Sequence, residues 1–314
     1  MGKYALRRLL QMIPVLILVS IVIFAIIHLI PGNPAEIMAG PNATDEQLAA
    51  LKQQYGLDQA LWVQYFLWLK HVLSGDLGVS FINGYPVGKL ILQRIPATIE
   101  LALAAAIIGL VISFPLGILS SLKPGSWLDL FTTLFSALSF AVPSFWLAIL
   151  LILLFSLHFR WLPPSGRPPF SQEPVAHLKS LLMPAMTLGI AMAAKLTRYL
   201  RSAMLDVLNA DYVRTAHAKG LSRFDVVMRH AIRNALIPVV TVFGLQVGDL
   251  LSGAIIVESI FAWPGVGRMT IQSIGWRDYS MLQASVMFIV MAFLLVNLIT
   301  DLTYGIIDPR IRYD

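Results

Sequence analysis

LLQMIPVLILVSIVIFAIIHLI, residues 9–30, is the stretch that decides the fold. Apart from Gln11, Pro14, Ser20 and His28, every side chain in it is aliphatic, aromatic or methionine. At 1.5 Å per residue, its 22 residues reach about 33 Å, enough to cross the hydrocarbon core of a bilayer. Lys3, Arg7 and Arg8 precede it, as basic residues precede a secretory signal. The apolar core of such a signal, however, is only about 7–15 residues long and ends at small residues. Here the run ends at Pro31-Gly32-Asn33-Pro34, so it reads as a retained first membrane helix.

Similar runs follow, and together they predict an all-α integral membrane protein with six spans, at about 9–30, 98–121, 130–157, 181–203, 236–260 and 281–303. The weakest is 236–260, which holds Asp249 and ends near Glu258. Composition agrees. Hydrophobic residues make up 57% of the 314 and charged residues 13%, and the mean hydropathy is +0.75. An ordinary soluble domain is about half apolar and a quarter charged. One transmembrane domain covering residues 1–314 is the simplest organisation. The net charge of +6 does not imply nucleic acid, because the basic residues fall between apolar segments and form no continuous patch. There are no cysteines, which excludes disulfides, thiolate metal sites and cysteine nucleophiles.

Six spans put both termini on one side, and Lys and Arg in short loops mark that side as cytoplasmic. Lys3, Arg7, Arg8, Lys123, Arg310, Arg312 and a dense group from Lys195 to Arg233 lie there; Arg160, Arg167, Lys179, Arg268 and Arg277 lie opposite. The segment 31–95 is then external. Its Asp45-Glu46-Gln47-Leu48 and the apolar positions through Leu67-Trp68-Leu69 predict amphipathic helix lying against the bundle or membrane surface. Pro14, Pro115, Pro143, Pro184 and Pro238 fall inside spans, as do Gly109, Gly117, Gly189, Gly244, Gly248 and Gly253. Such residues are ordinary in membrane helices, and they also permit kinks and close helix contacts.

The cytoplasmic loop 204–235 carries Asp211-Tyr212-Val213-Arg214-Thr215-Ala216-His217-Ala218-Lys219-Gly220-Leu221-Ser222. This stretch is too polar for lipid. Gly220 can end a helix because it enters left-handed backbone cheaply, and Ser222 with Asp225 resembles a capping box that opens a second helix. The expected result is a short helix, a turn and a second helix running toward Pro238.

That loop resembles the one by which permease subunits of ATP-binding-cassette importers engage their ATPases. The family reads Glu-Ala-Ala, three residues, then Gly; here the positions are Arg214-Thr215-Ala216, His217-Ala218-Lys219 and Gly220. Arg214 replaces the acidic residue, and the form Tyr-Val-Arg-Thr-Ala-x-Ala-Lys-Gly is similar to the dipeptide, oligopeptide and nickel branch. Further matches are Ile30-Pro31-Gly32-Asn33-Pro34, Tyr55-Gly56-Leu57-Asp58-Gln59, Gly75-Asp76-Leu77-Gly78-Val79-Ser80 and Pro96-Ala97-Thr98-Ile99-Glu100-Leu101. Near the end stand Phe261-Ala262-Trp263-Pro264-Gly265-Val266-Gly267-Arg268, Arg277-Asp278-Tyr279 and Asp308-Pro309-Arg310-Ile311-Arg312. Each is weak alone; in this order they are specific and span nearly the whole chain.

The resemblance implies a type I importer permease fold in a bacterial inner membrane. Its partners would be a second homologous permease, two cytoplasmic ATP-binding subunits and an external substrate-binding protein. Coupling to the ATPase would fall to Arg214, Thr215, Ala216, His217, Gly220 and Leu221. Dipeptides, longer peptides, glutathione or chelated nickel all fit as cargo.

The residues themselves leave other readings to weigh. No Gly-x-x-x-x-Gly-Lys-Ser/Thr stretch is present, so no phosphate-binding loop of that kind is expected and no cofactor is assigned to this chain; ATP and Mg belong to the partners. The six histidines are scattered without a metal-ligand spacing. Asp249 and Glu258 are candidates for lining the pathway, because a charge in lipid costs several kcal/mol; Asp301 is a weaker one. Lys195, Arg198 and Arg201 share a helical face and read as topology anchors, with cargo contact as the alternative. An ion-coupled secondary transporter would need no ATPase. An intramembrane enzyme would need a Ser–Lys or paired-Asp constellation, and the spans show none.

Overall fold

The computed structural model describes residues 2–29, 43–54 and 56–307, together with positions 35 and 39. The Ile30–Pro34 end of the first run, Tyr55 and the Asp308–Arg312 stretch lie outside the described residues. Helix α1 covers Gly2–Leu29, with Pro14 inside it. Two short helices follow, α2 at Asp45–Gln54 and α3 at Leu61–Leu73. The amphipathic reading is answered by α3, which lies along α1: Ser20 and Tyr65 share a hydrogen bond of 2.9 Å, and the Phe24 ring meets the Tyr65 ring edge-on at 5.5 Å.

Helix α4 runs through Val87–Leu122, eleven residues earlier than the expected start at 98. Pro96 sits inside α4, where the membrane setting tolerates it. The added turns have a packing reason, because Val87 and Ile91 are buried against Val266, Met269, Met281 and Ala284. The run 130–157 is not one straight span. It forms α5 (Trp127–Ala141) and α6 (Ser144–Leu151), the latter continued by a wider π turn at Ile152–His158, and the two halves meet at 104°. The residue before a proline is pushed out of helical backbone, and Val142 before Pro143 is extended at φ −88°, ψ 117°.

Helix α7 spans Pro174–Leu208 and α8 spans Asp211–Ala218. Helix α9 runs from Arg223 to Ile260, with one π segment at Val226–Ala231 and Pro238 inside. Helices α10 (Val266–Trp276) and α11 (Tyr279–Ile307) complete the described chain. Among the described residues, five helices are long and apolar enough to cross a membrane, and the bent pair α5–α6 makes a sixth if its halves are taken as one span.

The core lies where α4 and α7 pack along most of their lengths, with α9 beside them; Leu101, Ala105, Met183, Leu196, Leu200, Met204 and Val257 are buried there. The opposite face of α4, with Leu92, Leu103, Ile107 and Val111, stays exposed, as a lipid-facing side should. Lipid gives apolar side chains no reason to leave it, so membrane helices associate through close packing of small residues. Thr98, Ala102, Ala105, Gly109, Ser113 and Gly117 form such a buried stripe on α4. Across from it, a Cβ on Gly189 would lie 2.8 Å from the Ala105 carbonyl oxygen, and backbone cannot yield as a side chain can. Gly189→Leu is therefore expected to part the two helices and destabilise the bundle by at least about 1–3 kcal/mol, lowering the thermal midpoint of the detergent-solubilised protein. Gly275→Ala, at a position with open space around it, should leave that midpoint unchanged.

Candidate coupling surface and membrane pathway

The loop between the fourth and fifth spans is tighter than the range 204–235 implies. Only Asn209 and Ala210 separate α7 from α8, and Lys219 to Ser222 separate α8 from α9. Gly220 takes φ +82°, the left-handed conformation its position predicts. Ser222 caps α9: its hydroxyl oxygen accepts from the Asp225 amide at 3.1 Å and its O–H donates to the Asp225 carboxylate at 2.6 Å. Asn234 donates to the Tyr212 hydroxyl at 3.0 Å, and Arg223 donates to the Leu122 carbonyl at the end of α4, also at 3.0 Å. The short helix is thus tied to α9, and α9 in turn to the end of α4.

Which side of α8 faces outward is settled by burial. Val213 and Ala216 are buried against Val226, with Val207 alongside. Ala216 therefore anchors the helix to its own bundle and does not sit on an outward face. Arg214 and Thr215 point out; Arg214 pairs with Asp211 at 3.5 Å, but both side chains are largely exposed, so the pair contributes little. His217 lies within α8, with its side chain outside the described residues. Next to this face, Leu221, Phe224 and Met228 are exposed, Phe224 by 72%. Exposed together beside a polar helix, the three make a candidate contact surface. Phe224 and Met228 escape the sequence argument because they read as the apolar side of an amphipathic turn.

The three basic residues of α7 have separate fates. Arg201 donates to both oxygens of Asp129, at 2.5 and 2.9 Å, and so clamps α5 to α7. Arg198 lies over the Phe140 ring, 4.9 Å from its centroid. Lys195 pairs with Asp249 of α9 at 3.2 Å, and the two side chains are 35% and 56% exposed. Asp301 pairs with Arg8 at 3.2 Å.

Glu258, expected as a pathway candidate, has no exposed surface. Thr98 donates to one of its oxygens at 2.7 Å and the Arg268 amide to the other at 3.0 Å. Thr98 Oγ1 in turn accepts from the Val266 amide at 2.9 Å, and Trp263 Nε1 donates to the Ala97 carbonyl at 2.8 Å. Glu258 is thus the centre of a latch that holds the Trp263–Arg268 turn against α4. Two other sequence stretches meet in the same way: Ser80 donates to Asp278, whose carboxylate also accepts from the Phe81 and Met281 amides, each at 3.2 Å. Above the latch, Glu100 accepts from Arg167 at 2.7 Å and also pairs with the buried His177. Among the described residues no cluster of three or more His, Asp or Glu side chains could hold a metal.

Comparison with known proteins decides the family. Residues 113–313 match the family described as "Binding-protein-dependent transport system inner membrane component", and residues 1–102 match its N-terminal component. The chain belongs to this family. It is 41% identical to the dipeptide transport system permease protein DppB of Alkalihalophilus pseudofirmus, with 100% of both chains covered. It is 40% identical to the glutathione transport system permease protein GsiC of Salmonella paratyphi A, again with 100% of both covered. In structure it is similar to the inward-facing MetNI methionine ABC transporter, with a TM-score of 0.56, 16% identity, and 70% of this chain and 96% of that one covered. An amino acid ABC transporter gives a TM-score of 0.52, with 16% identity, and 71% of this chain and 94% of that one covered.

This permease is accordingly a transport subunit of an ATP-binding-cassette importer, built on the type I fold. Its family implies ATP-binding, substrate-binding and permease partners. The ion-coupled alternative is not favoured.

Proposed function

We propose that this permease forms half of a membrane pathway for short peptides, with dipeptides or glutathione as cargo. Its full-length likeness to DppB and GsiC at 41% and 40% identity carries that reading. The second half would come from a homologous permease. Two cytoplasmic ATPases, which hold the ATP and Mg, would dock on α8 and the Leu221–Phe224–Met228 patch, and an external binding protein would deliver cargo. Both termini would then lie in the cytoplasm of a bacterial cell, beneath its inner membrane.

Reconstitution tests the whole scheme. Vesicles holding the two permeases and two ATPases should take up dipeptide only with ATP inside and loaded binding protein outside. Uptake driven by an ion gradient without ATP would overturn the assignment. Within that system Phe224→Ser should weaken ATPase association by about ten- to a hundredfold, the effect of losing one buried aromatic anchor of about 1–3 kcal/mol; unchanged association would remove Phe224 from the docking surface.

Topology has its own check, made simple by the absence of cysteine. Ser222→Cys should react with an impermeant thiol reagent only from the cytoplasm and Gln53→Cys only from outside. Labelling of the Ser222 position in intact cells would reverse the orientation.

A further inference from the structure

Lys195 and Asp249 occupy an unusual place. At 1.5 Å per residue, Lys195 lies about 12 Å inside the cytoplasmic end of its expected span at residue 203, and Asp249 about 17 Å from the Ile260 end of α9. The pair therefore sits within the membrane-spanning part of both helices, yet 56% of the Asp249 side chain is uncovered. It belongs to an open face shared by two helices. On α9 the exposed positions Leu245, Asp249, Ser252 and Ile256 follow helical spacing, and on α7 Ala191 and Lys195 stand beside them. A charge turned toward lipid at this depth costs several kcal/mol, and intramembrane charges face a bundle interior or a water-filled cavity instead. The Arg201–Asp129 clamp, whose partners are 29% and 10% exposed, shows what a purely internal tie looks like here. The Lys195–Asp249 pair is more open.

Its geometry leaves both groups open to further bonds. Among the described residues Lys195 Nζ donates only to Asp249 Oδ2, although an ammonium has three donors and a carboxylate about four acceptor sites. One positive and one negative group 3.2 Å apart present the two charges that a free peptide carries at its termini, in reciprocal form. We propose that Lys195 and Asp249 are a cargo site within the membrane pathway, where the lysine takes a peptide's carboxylate and the aspartate its ammonium. This deepens the short-peptide reading and rests on it. When empty, the two groups neutralise each other, so the pathway presents no isolated charge to trap an ion. When cargo arrives, one internal ion pair is exchanged for two external ones, which keeps binding weak enough for release, as conduction requires.

Thiol protection in the assembled complex, with cysteine-free partners, tests the site. Ser252→Cys, one turn from Asp249, should react with a charged, water-soluble methanethiosulfonate. Millimolar alanyl-alanine should slow that reaction about tenfold, the effect of roughly 1.4 kcal/mol of occupancy-linked contact, whereas N-acetyl-alanyl-alanine amide should not. Lys195→Met or Asp249→Asn in the same background should remove the protection. No reaction at the Ser252 position would mean a dry face and overturn the proposal. So would equal protection by the blocked peptide, which needs no change at the pair, or protection that survives both variants. ATP-driven dipeptide uptake by the same vesicles is read separately: its loss with protection intact would sink the importer cargo while keeping the site.

Discussion

Ala216→Trp is expected to abolish ATP-driven uptake while the chain still inserts and accumulates in the membrane. Ala216 is 7% exposed and packs with Val213 and Val226 beneath α8, so an indole there has no space to enter. Overpacking of this kind costs about 1–3 kcal/mol. That is more than an eight-residue helix can absorb, since isolated helices under about 12 residues are marginal in water. Helix α8 should then lift from its seat, and the outward face of Arg214, Thr215 and Phe224 should lose its fixed orientation. Uptake per unit of expressed complex should fall by at least about tenfold, a factor that ~1.4 kcal/mol already produces, and hydrolysis stimulated by loaded binding protein should fall with it. Ala216→Ser should keep most activity, because it adds little volume. Normal uptake by a well-expressed Ala216→Trp chain would show that this packing is dispensable. Gly220 offers a contrast: a Cβ there meets nothing within 4 Å, so Gly220→Ala brings only backbone strain of about 1–2 kcal/mol.

Glu258→Ala should be the most damaging single change at the opposite end. It strips the acceptor from the Thr98 hydroxyl and from the Arg268 amide, both now facing a void. Each buried polar group left unpaired costs about 1–3 kcal/mol, so a loss of roughly 2–6 kcal/mol is expected, seen as a lower thermal midpoint and poor recovery in detergent. Glu258→Gln keeps a carbonyl oxygen for one of the two donors and should lose less. Equal damage from Ala and Gln would mean that the site needs both carboxylate oxygens and not merely the bulk that Gln retains. The fit is already close, since a Cβ on Gly265 would come within 2.1 Å of a Glu258 oxygen.

The sequence made legible whatever depends on near neighbours. Residues 9–30 announce a membrane helix by length and apolarity alone, and Gly220 and Ser222 announce a turn and a cap because those motifs are written in local backbone chemistry. The 104° elbow was half visible: Val142-Pro143 carries the signal, but an apolar composition on both sides hides it, and many membrane helices merely bend at proline. The expected start at 98 falls short of α4 because Lys89, Gln93 and Arg94 interrupt the apolar run before it. Glu258 shows the harder limit. An acid in an apolar run points equally to a pathway and to a buried latch, and Thr98, which decides between them, is 160 residues away in sequence. Ala216 is similar, since one small residue on an eight-residue helix does not reveal which of its sides the bundle claims.

The joints of two and four residues around α8 carry a consequence of their own. Thermodynamic coupling between two sites is reciprocal, and a linkage with no slack transmits in both directions. If an ATPase gripping α8 can tilt α7 and α9, then whatever tilts α7 and α9 from the far side must load the ATPase. A binding protein pressing on the outer turns would therefore be felt at the nucleotide before any cargo had moved. Restraint of idle hydrolysis needs no separate sensor in such a design; it is the same lever, worked from its other end.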